Sequence, residues 1–261
     1  PLTKIIRHFL PLLVGTATLC FCGVSIAQES TDIASRTGQN KVLQMVRTST
    51  PPVIDGVMDE IWKTAAIVDD LHQIEPIEYA TPSEKTVIRV LYDENFLYVS
   101  GMMYYSDPST IAATKMIQGA SPRYEDKLRV YINPFNDGRN GYLFQSTPYG
   151  VRSESIFENV RGNNFDWTGI WYAGTQFTDY GWFAEIAIPF KTISFDPNSS
   201  DWGISFARGI EKKTEDLAWT SYNRSTNPSN FGTATGFSDI KQGMGLDLIP
   251  GLSISESRAY G

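Results

Sequence analysis

Three carboxylates, Asp55, Asp59 and Glu60, fall within the stretch VIDGVMDEIW, residues 53–62. Acids at such spacing can serve general acid–base chemistry, an oxygen-ligated metal, or the first turn of a helix. Hydrolysis by paired carboxylates needs two acids facing one cleft. Glu154, Glu158 and Asp166 are the other candidates for such a pair, and nothing in the sequence sets their separation. Nucleophilic chemistry is poorly provided for: there is no G-x-S-x-G, and His72 is the single histidine after residue 27, without a recognisable partner motif. Zinc is disfavoured, since the same stretch has no cysteine. No cofactor is expected. Calcium is the one metal left open, because Asp55, Asp93, Asp137 and Asp166 lie near turns and oxygen ligands suffice, although residues 133–140 do not follow an EF-hand loop.

For the opening stretch the architectural reading is the stronger. Asp55-Gly56 reads as a turn, and Asp55 can also cap a helix predicted over 57–66. Asp59 and Glu60 then sit in or near the first helical turn, where unpaired N–H groups and the helix dipole favour acids by roughly 0.5–1 kcal/mol each. Ile61, Trp62 and Ala65 supply the apolar stripe for docking. A second helical stretch is weakly indicated at 108–116.

The elements around these residues read as strands. Residues 1–27 combine Lys4 and Arg7, an apolar run and Ser25-Ile26-Ala27, as in a secretory signal peptide; both cysteines, Cys20 and Cys22, lie within it. The chain opens with Pro1, as a fragment would. Residues 28–50 are polar without a clear period and read as a linker or arm. From Glu84, EKTVIRVLYD, a turn at Glu94-Asn95 and FLYVSGMMYY form a hairpin. In KLRVYIN, Leu128, Val130 and Ile132 face one way, and Lys127, Arg129, Tyr131 and Asn133 face a wet side. GYLFQSTP, VRSESIF, GIWYAGTQFT, WFAEIAIPF and WGISFARGIEK continue the pattern; Trp167, Trp171, Trp182 and Trp202 are assigned to alternating strands, at the core or its rim. Many short strands with turn signals predict an all-β, immunoglobulin-like antiparallel β-sandwich over 51–244 with one short N-terminal helix. Residues 245–261 read as its last strand or as the start of a truncated C-terminal region. The formal charge is −7, and loss of residues 1–27 removes two bases and no acid. An acidic chain of this kind is a poor nucleic-acid binder.

VIDGVMDEIW, followed by VIRVLYDENFLYVSG, resembles the opening of family 9 carbohydrate-binding modules. DPSTIAA, YEDKLRVYINPFNDGRNGYLFQSTPYGVRSE, FDWTGIWYAGTQFTDYGWFAEIAIPF and WGISFARGIEKKTEDLAWTSY extend the likeness from about Pro52 to Lys241. They resemble a bacterial subgroup in which the module precedes a region like an outer-membrane barrel. The resemblance implies an immunoglobulin-like sandwich that binds sugars without chemistry. It implies an exported protein of the periplasm or outer membrane, with a carbohydrate or glycan ligand, no nucleic acid, and a covalently linked C-terminal outer-membrane region beyond Gly245. Alternatives are a gating domain of such a barrel without free-sugar binding, and a domain associated with a glycoside hydrolase in carbohydrate catabolism. Relatives of similar architecture bind haem through Met with His or Lys, which brings Met102, Met103 and His72 into view; a Met pair in an apolar strand is more often core.

Sugar-binding members of the family clamp the ligand between two tryptophans. In this chain Arg123, with Tyr124 beside it, stands at the first of those positions, and Ser225, ahead of Pro228-Ser229-Asn230-Phe231-Gly232, at the second. Arg129 replaces a glutamate on the wet face. The scaffold carries over and the clamp does not. The expected ligand-facing residues are therefore Arg123, Tyr124, Arg129 and Gln145, with Trp219 or Tyr222 as a substitute ring; the alternative for Trp219 is core or edge packing.

Overall fold

The computed structural model describes residues 41–119, 121–158 and 162–242. The signal-like segment and the tail after Gly245 lie outside them. In chain order the strands are β1 (Val42–Gln44), β2 (Ala66–Val68), β3 (His72–Glu75), β4 (Thr86–Tyr92), β5 (Phe96–Tyr104), β6 (Lys127–Asn133) and β7 (Asn140–Ser146). They continue with β8 (Arg152–Glu158), β9 (Gly162–Asn164), β10 (Tyr172–Thr178), β11 (Gly181–Pro189), β12 (Trp202–Ile210), β13 (Glu215–Ala218) and β14 (Gly232–Thr235). Among the described residues, a five-stranded sheet runs β10-β11-β5-β4-β2. A larger sheet runs β1-β14-β12-β6-β7-β8-β9, with β13 pairing both β12 and β3. All pairings are antiparallel except β1 with β14. The antiparallel β-sandwich expected from the alternation is the observed fold.

Period two explains the core. Val99 and Met103 of β5, Leu128, Val130 and Ile132 of β6, Trp182, Ala184, Ile186 and Ile188 of β11, and Trp202, Ile204 and Phe206 of β12 join in one cluster between the sheets. The opposite faces are not simply wet. On the small sheet, Trp62 and Ala65 cover Leu91, Tyr98, Met102, Phe183 and Ala187. On the large sheet, Tyr131 packs with Ile74, Leu143, Phe157 and Phe231. Tyr131 and Asn133 of the predicted wet face are thus buried. Residues 41–50, within the stretch read as linker or arm, are joined to the sandwich: β1 pairs with β14, and Leu43 and Met45 enter the main core.

The helix predicted over 57–66 is instead a five-residue 3₁₀ helix, Glu60–Thr64. Asp55 is not its cap; its Oδ1 accepts from Val57 N at 2.8 Å. Asp59 holds the cap position, but its carboxylate accepts from Val53 N at 2.8 Å. The reason is tertiary. Glu185 of β11 accepts hydrogen bonds from Asp55 N (3.2 Å), Gly56 N (2.9 Å) and Trp62 Nε1 (2.7 Å), which fixes the turn, and β2 must begin at Ala66. Fully burying the Trp62 ring contributes roughly 4–6 kcal/mol of transfer free energy, more than the acids could as caps. The second helical stretch reduces to a 3₁₀ turn at Pro108–Thr110.

Gly56 has φ +87°, and a Cβ there would lie 2.6 Å from the Thr175 backbone of β10. Gly56→Ala therefore combines positive-φ strain with a backbone clash and is expected to cost about 2–4 kcal/mol. A urea midpoint unchanged from the parent protein would contradict this.

Candidate functional site

The register of the large sheet sets a polar row across three strands. Arg129 of β6 lies opposite Gln145 of β7, which lies opposite Ser153 of β8. Gln145 Nε2 donates to Ser153 Oγ at 3.3 Å. This row floors a groove of about 1040 Å³, together with Tyr131 and Leu143. One wall is the loop ahead of β6, contributing Gln118, Ser121, Pro122 and Arg123. The other is the segment between β9 and β10 together with the first residue of β10, contributing Phe165, Trp167, Ile170, Trp171 and Tyr172.

Both walls are fastened. Gln118 Nε2 donates to Gly150 O at 2.7 Å, and Arg152 N donates to Gln118 Oε1 at 3.0 Å, which ties the first loop to the β7–β8 turn. Lys115 Nζ donates to Ser121 O and Arg123 O, and buried Glu125 accepts from Thr114 N at 2.7 Å. On the other side, Trp171 Nε1 donates to Glu154 Oε2 at 3.0 Å, and the Arg152 guanidinium donates to Trp171 O while lying over its ring. Trp167 packs on Tyr142 and Phe144. A Cβ on Gly169 would lie 2.7 Å from the Trp167 ring, so the glycine permits that seating.

The predicted site residues divide. Arg123, Arg129 and Gln145 meet in the groove. Tyr124 is adjacent but outside the lining, 62% exposed and facing the Arg123 guanidinium at 5.0 Å. Trp219 is 4% exposed, belongs to the main core and donates Nε1 to Asp70 at 2.8 Å, so it takes no part in the groove. Ser225 closes a tight turn with Tyr222. Phe165 and Tyr172, both exposed, were missed. Their signal is the aromatic density of FDWTGIWY around Gly169. Trp167 and Trp171 lie in this connection rather than in alternating strands.

Electrostatically the floor is cationic. Arg129 is ion-paired with Asp216, and its Nε is buried without a hydrogen-bond partner. Burial works against its charge, but Tyr131 and Asp216 hold the guanidinium above its ordinary pKa. Burial, and then the neighbouring Arg129, push the Lys127 ammonium down.

The groove offers no pair of acids. Among the described residues Glu154 is the single carboxylate in its lining, and Glu158 and Asp166 lie outside it. Ser221 Oγ does stand 2.7 Å from His72 Nε2, a pairing with no sequence motif, but Ser221 is fully buried and sealed from any substrate. Three or more His, Cys, Asp or Glu side chains that could hold a metal do not converge among the described residues. Asp55, Asp93 and Asp137 cap their own turns. Met103 is in the main core, whereas Met102 lies on the far side of its sheet. The arrangement is equipped to hold a ligand by stacking and hydrogen bonding.

Comparison with known proteins shows the family and the fold. A family model described as carbohydrate family 9 binding domain-like matches residues 54–237. Endo-1,4-beta-xylanase A of Thermotoga maritima is 26% identical over 186 residues, 69% of this chain. Exoglucanase XynX of Acetivibrio thermocellus is 25% identical over 219 residues, 76% of this chain. The chain spans only 16% and 19% of those two relatives. Among solved structures, a family 9 carbohydrate-binding module from Caldicellulosiruptor kristjanssonii in complex with cellotriose aligns with TM-score 0.53 at 20% identity, covering 80% of this chain and 100% of the module. The glucose complex from the same organism aligns with TM-score 0.53 at 19% identity, covering 75% and 98%. These structural likenesses show the fold.

Proposed function

Because the chain belongs to the carbohydrate family 9 binding domain-like family, we propose that its groove binds carbohydrate and leaves it chemically unchanged. The observation that carries this reading is the groove itself: exposed Phe165 and Tyr172 along one wall, and Gln145, Ser153 and Arg129 in a row on the floor. A pyranose has an apolar face suited to an aromatic wall and a ring of hydroxyls suited to such a row. Solved relatives hold cellotriose and glucose, which supports the ligand class. Glu154 as the single carboxylate among the described lining residues supports binding without hydrolysis.

Calorimetric titration with mono- and oligosaccharides tests the reading. Tyr172→Ala and Phe165→Ala are each expected to weaken binding about tenfold, or about 1.4 kcal/mol. Trp219→Phe, remote from the groove, is expected to leave affinity within about twofold of the parent. Absence of binding at millimolar sugar would remove the proposal.

An exported address accompanies this reading, supported by the order of basic, apolar and small residues in 1–27. Cell fractionation checks whether the protein reaches the periplasm or outer membrane. A barrel-gating role without free-sugar binding is the second reading, supported by Arg123 standing where the family places an aromatic ring. Sugar binding by the whole protein would count against it.

A further inference from the structure

Building on the carbohydrate reading, we infer that the groove is selective for an anionic sugar, one bearing a carboxylate or sulfate, over a neutral one. The chain as a whole is acidic, with 29 Asp and Glu against 22 Lys and Arg. The groove reverses that balance: among the described residues, Arg123, Lys127, Arg129 and Arg152 line it against the single carboxylate of Glu154.

The partners of these cations sharpen the point. Among the described residues, Arg129 alone of the four has an ion-pair partner, Asp216. Arg123 lies over the Tyr124 ring. Arg152 donates to a backbone carbonyl and lies over the Trp171 ring. Lys127 Nζ donates to Pro122 O at 3.5 Å, and Asp216, Glu211 and Asp126 act on its charge from farther away. No described carboxylate forms a salt bridge with Arg123, Lys127 or Arg152. Lys127 and Arg129 project from the same face of β6, and Arg123 enters from the loop just before it. Like charges gathered this way in a partly desolvated groove repel one another, and a bound anion relieves the repulsion. Guanidinium groups suit planar or multidentate oxyanions especially well. A neutral sugar needs donors and acceptors in balance, and this lining is rich in donors. An acidic pyranose would stack on the Tyr172 wall and direct its anion to the Arg123–Lys127–Arg129 side.

The experiment titrates the whole protein with uronic-acid trisaccharides of the gluco, galacto and manno series. Each is compared with its methyl ester, which keeps the skeleton and removes the charge, and with a sulfated neutral trisaccharide. At least one acid is expected to bind about tenfold more tightly than its ester at low salt, with the advantage shrinking at about 0.5 M salt. Arg123→Gln and Lys127→Gln are each expected to reduce the acid-to-ester ratio about threefold or more. A sulfated ligand that binds more tightly than the acids also supports the inference and identifies the anion. Acid and ester binding equally, or the ester more tightly, overturns the inference while the carbohydrate reading stands. Failure of every charged and neutral sugar to bind overturns both.

Discussion

Glu185→Ala is expected to destabilise the protein by roughly 3–5 kcal/mol, because it removes a buried acceptor and leaves its donors orphaned. Glu185 is fully buried under the 55–62 segment and accepts from Asp55 N, Gly56 N and Trp62 Nε1. Burial pushes its carboxyl up to about 7; the Trp62, Gly56 and Asp55 donors pull it back, and the neighbouring Asp55 carboxylate adds a further push upward. In the unfolded chain the group titrates near 4.5. Between these values the folded state binds the proton that the unfolded state has lost, so stability falls as pH rises from about 4.5 to about 7 and is level above that. The group's share of that fall is on the order of 3 kcal/mol. Glu185→Gln keeps the shape without the titration. Urea unfolding of that variant across pH 4.5–8 is expected to lack this component, and an undiminished slope would refute the assignment.

Arg208→Ala is expected to cost a similar amount, roughly 3–5 kcal/mol, and to lower the melting temperature by about 10 °C. Arg208 sits on the core side of β12, opposite Leu128, and is fully buried. Its Nη1 donates to Lys85 O at 2.9 Å and Thr86 Oγ1 at 3.0 Å, and its Nη2 to Tyr104 O at 2.8 Å. Thr86 and Tyr104 end β4 and β5 of the opposite sheet, and Lys85 immediately precedes β4, so one side chain links the two layers. The guanidinium also lies 4.6 Å over the Tyr105 ring, whose hydroxyl donates to buried Asp126. Burial lowers the Arg208 pKa and raises that of Asp126, yet an arginine this far above neutrality stays charged. Truncation therefore removes the guanidinium donors to Thr86 Oγ1 and Tyr104 O, leaves Lys85 O with its bond from Tyr104 N, and opens a void between the sheets. Arg208→Lys retains charge but has one nitrogen in place of a fork, and is expected to recover less than half the loss. A calorimetric scan in which Arg208→Ala melts within about 2 °C of the parent would refute the linking role.

The two residues show why parts of this protein were legible in its sequence and others were not. Glu185 and Arg208 occupy alternating strands, WFAEIAIPF and WGISFARGI, as single charged residues among apolar ones. Period two sets Glu185 opposite the face of Trp182, Ala184 and Ile186 and sets Arg208 on the face of Trp202, Ile204 and Phe206, but carries no sign that a tryptophan 123 residues away comes down on the first. Likewise the VIDGVMDEIW acids were readable as architecture, while the partner that shaped the turn was not.

The groove divides along the same line. Arg129 and Gln145 were readable because period two puts them on one face and hairpin order puts them side by side. Phe165 and Tyr172 were not, since Phe165 sits in a connection with no period and Tyr172 is the first residue of β10, and only the folding of that connection beside β8 made them a wall. Trp219 went the other way: its composition suited a ligand ring, and β13 turned it into the core.

By itself, then, the chain's chemistry determined the longer alternating strands, the facing of most of their apolar residues and the all-β class, because these depend on neighbours one and two positions away. The tertiary structure alone decided which carboxylate anchors the first turn, which aromatics reach the groove, and where an acidic chain gathers its positive charge. Those outcomes depend on strand pairing between residues far apart in sequence, and no local pattern encodes who the distant partner is.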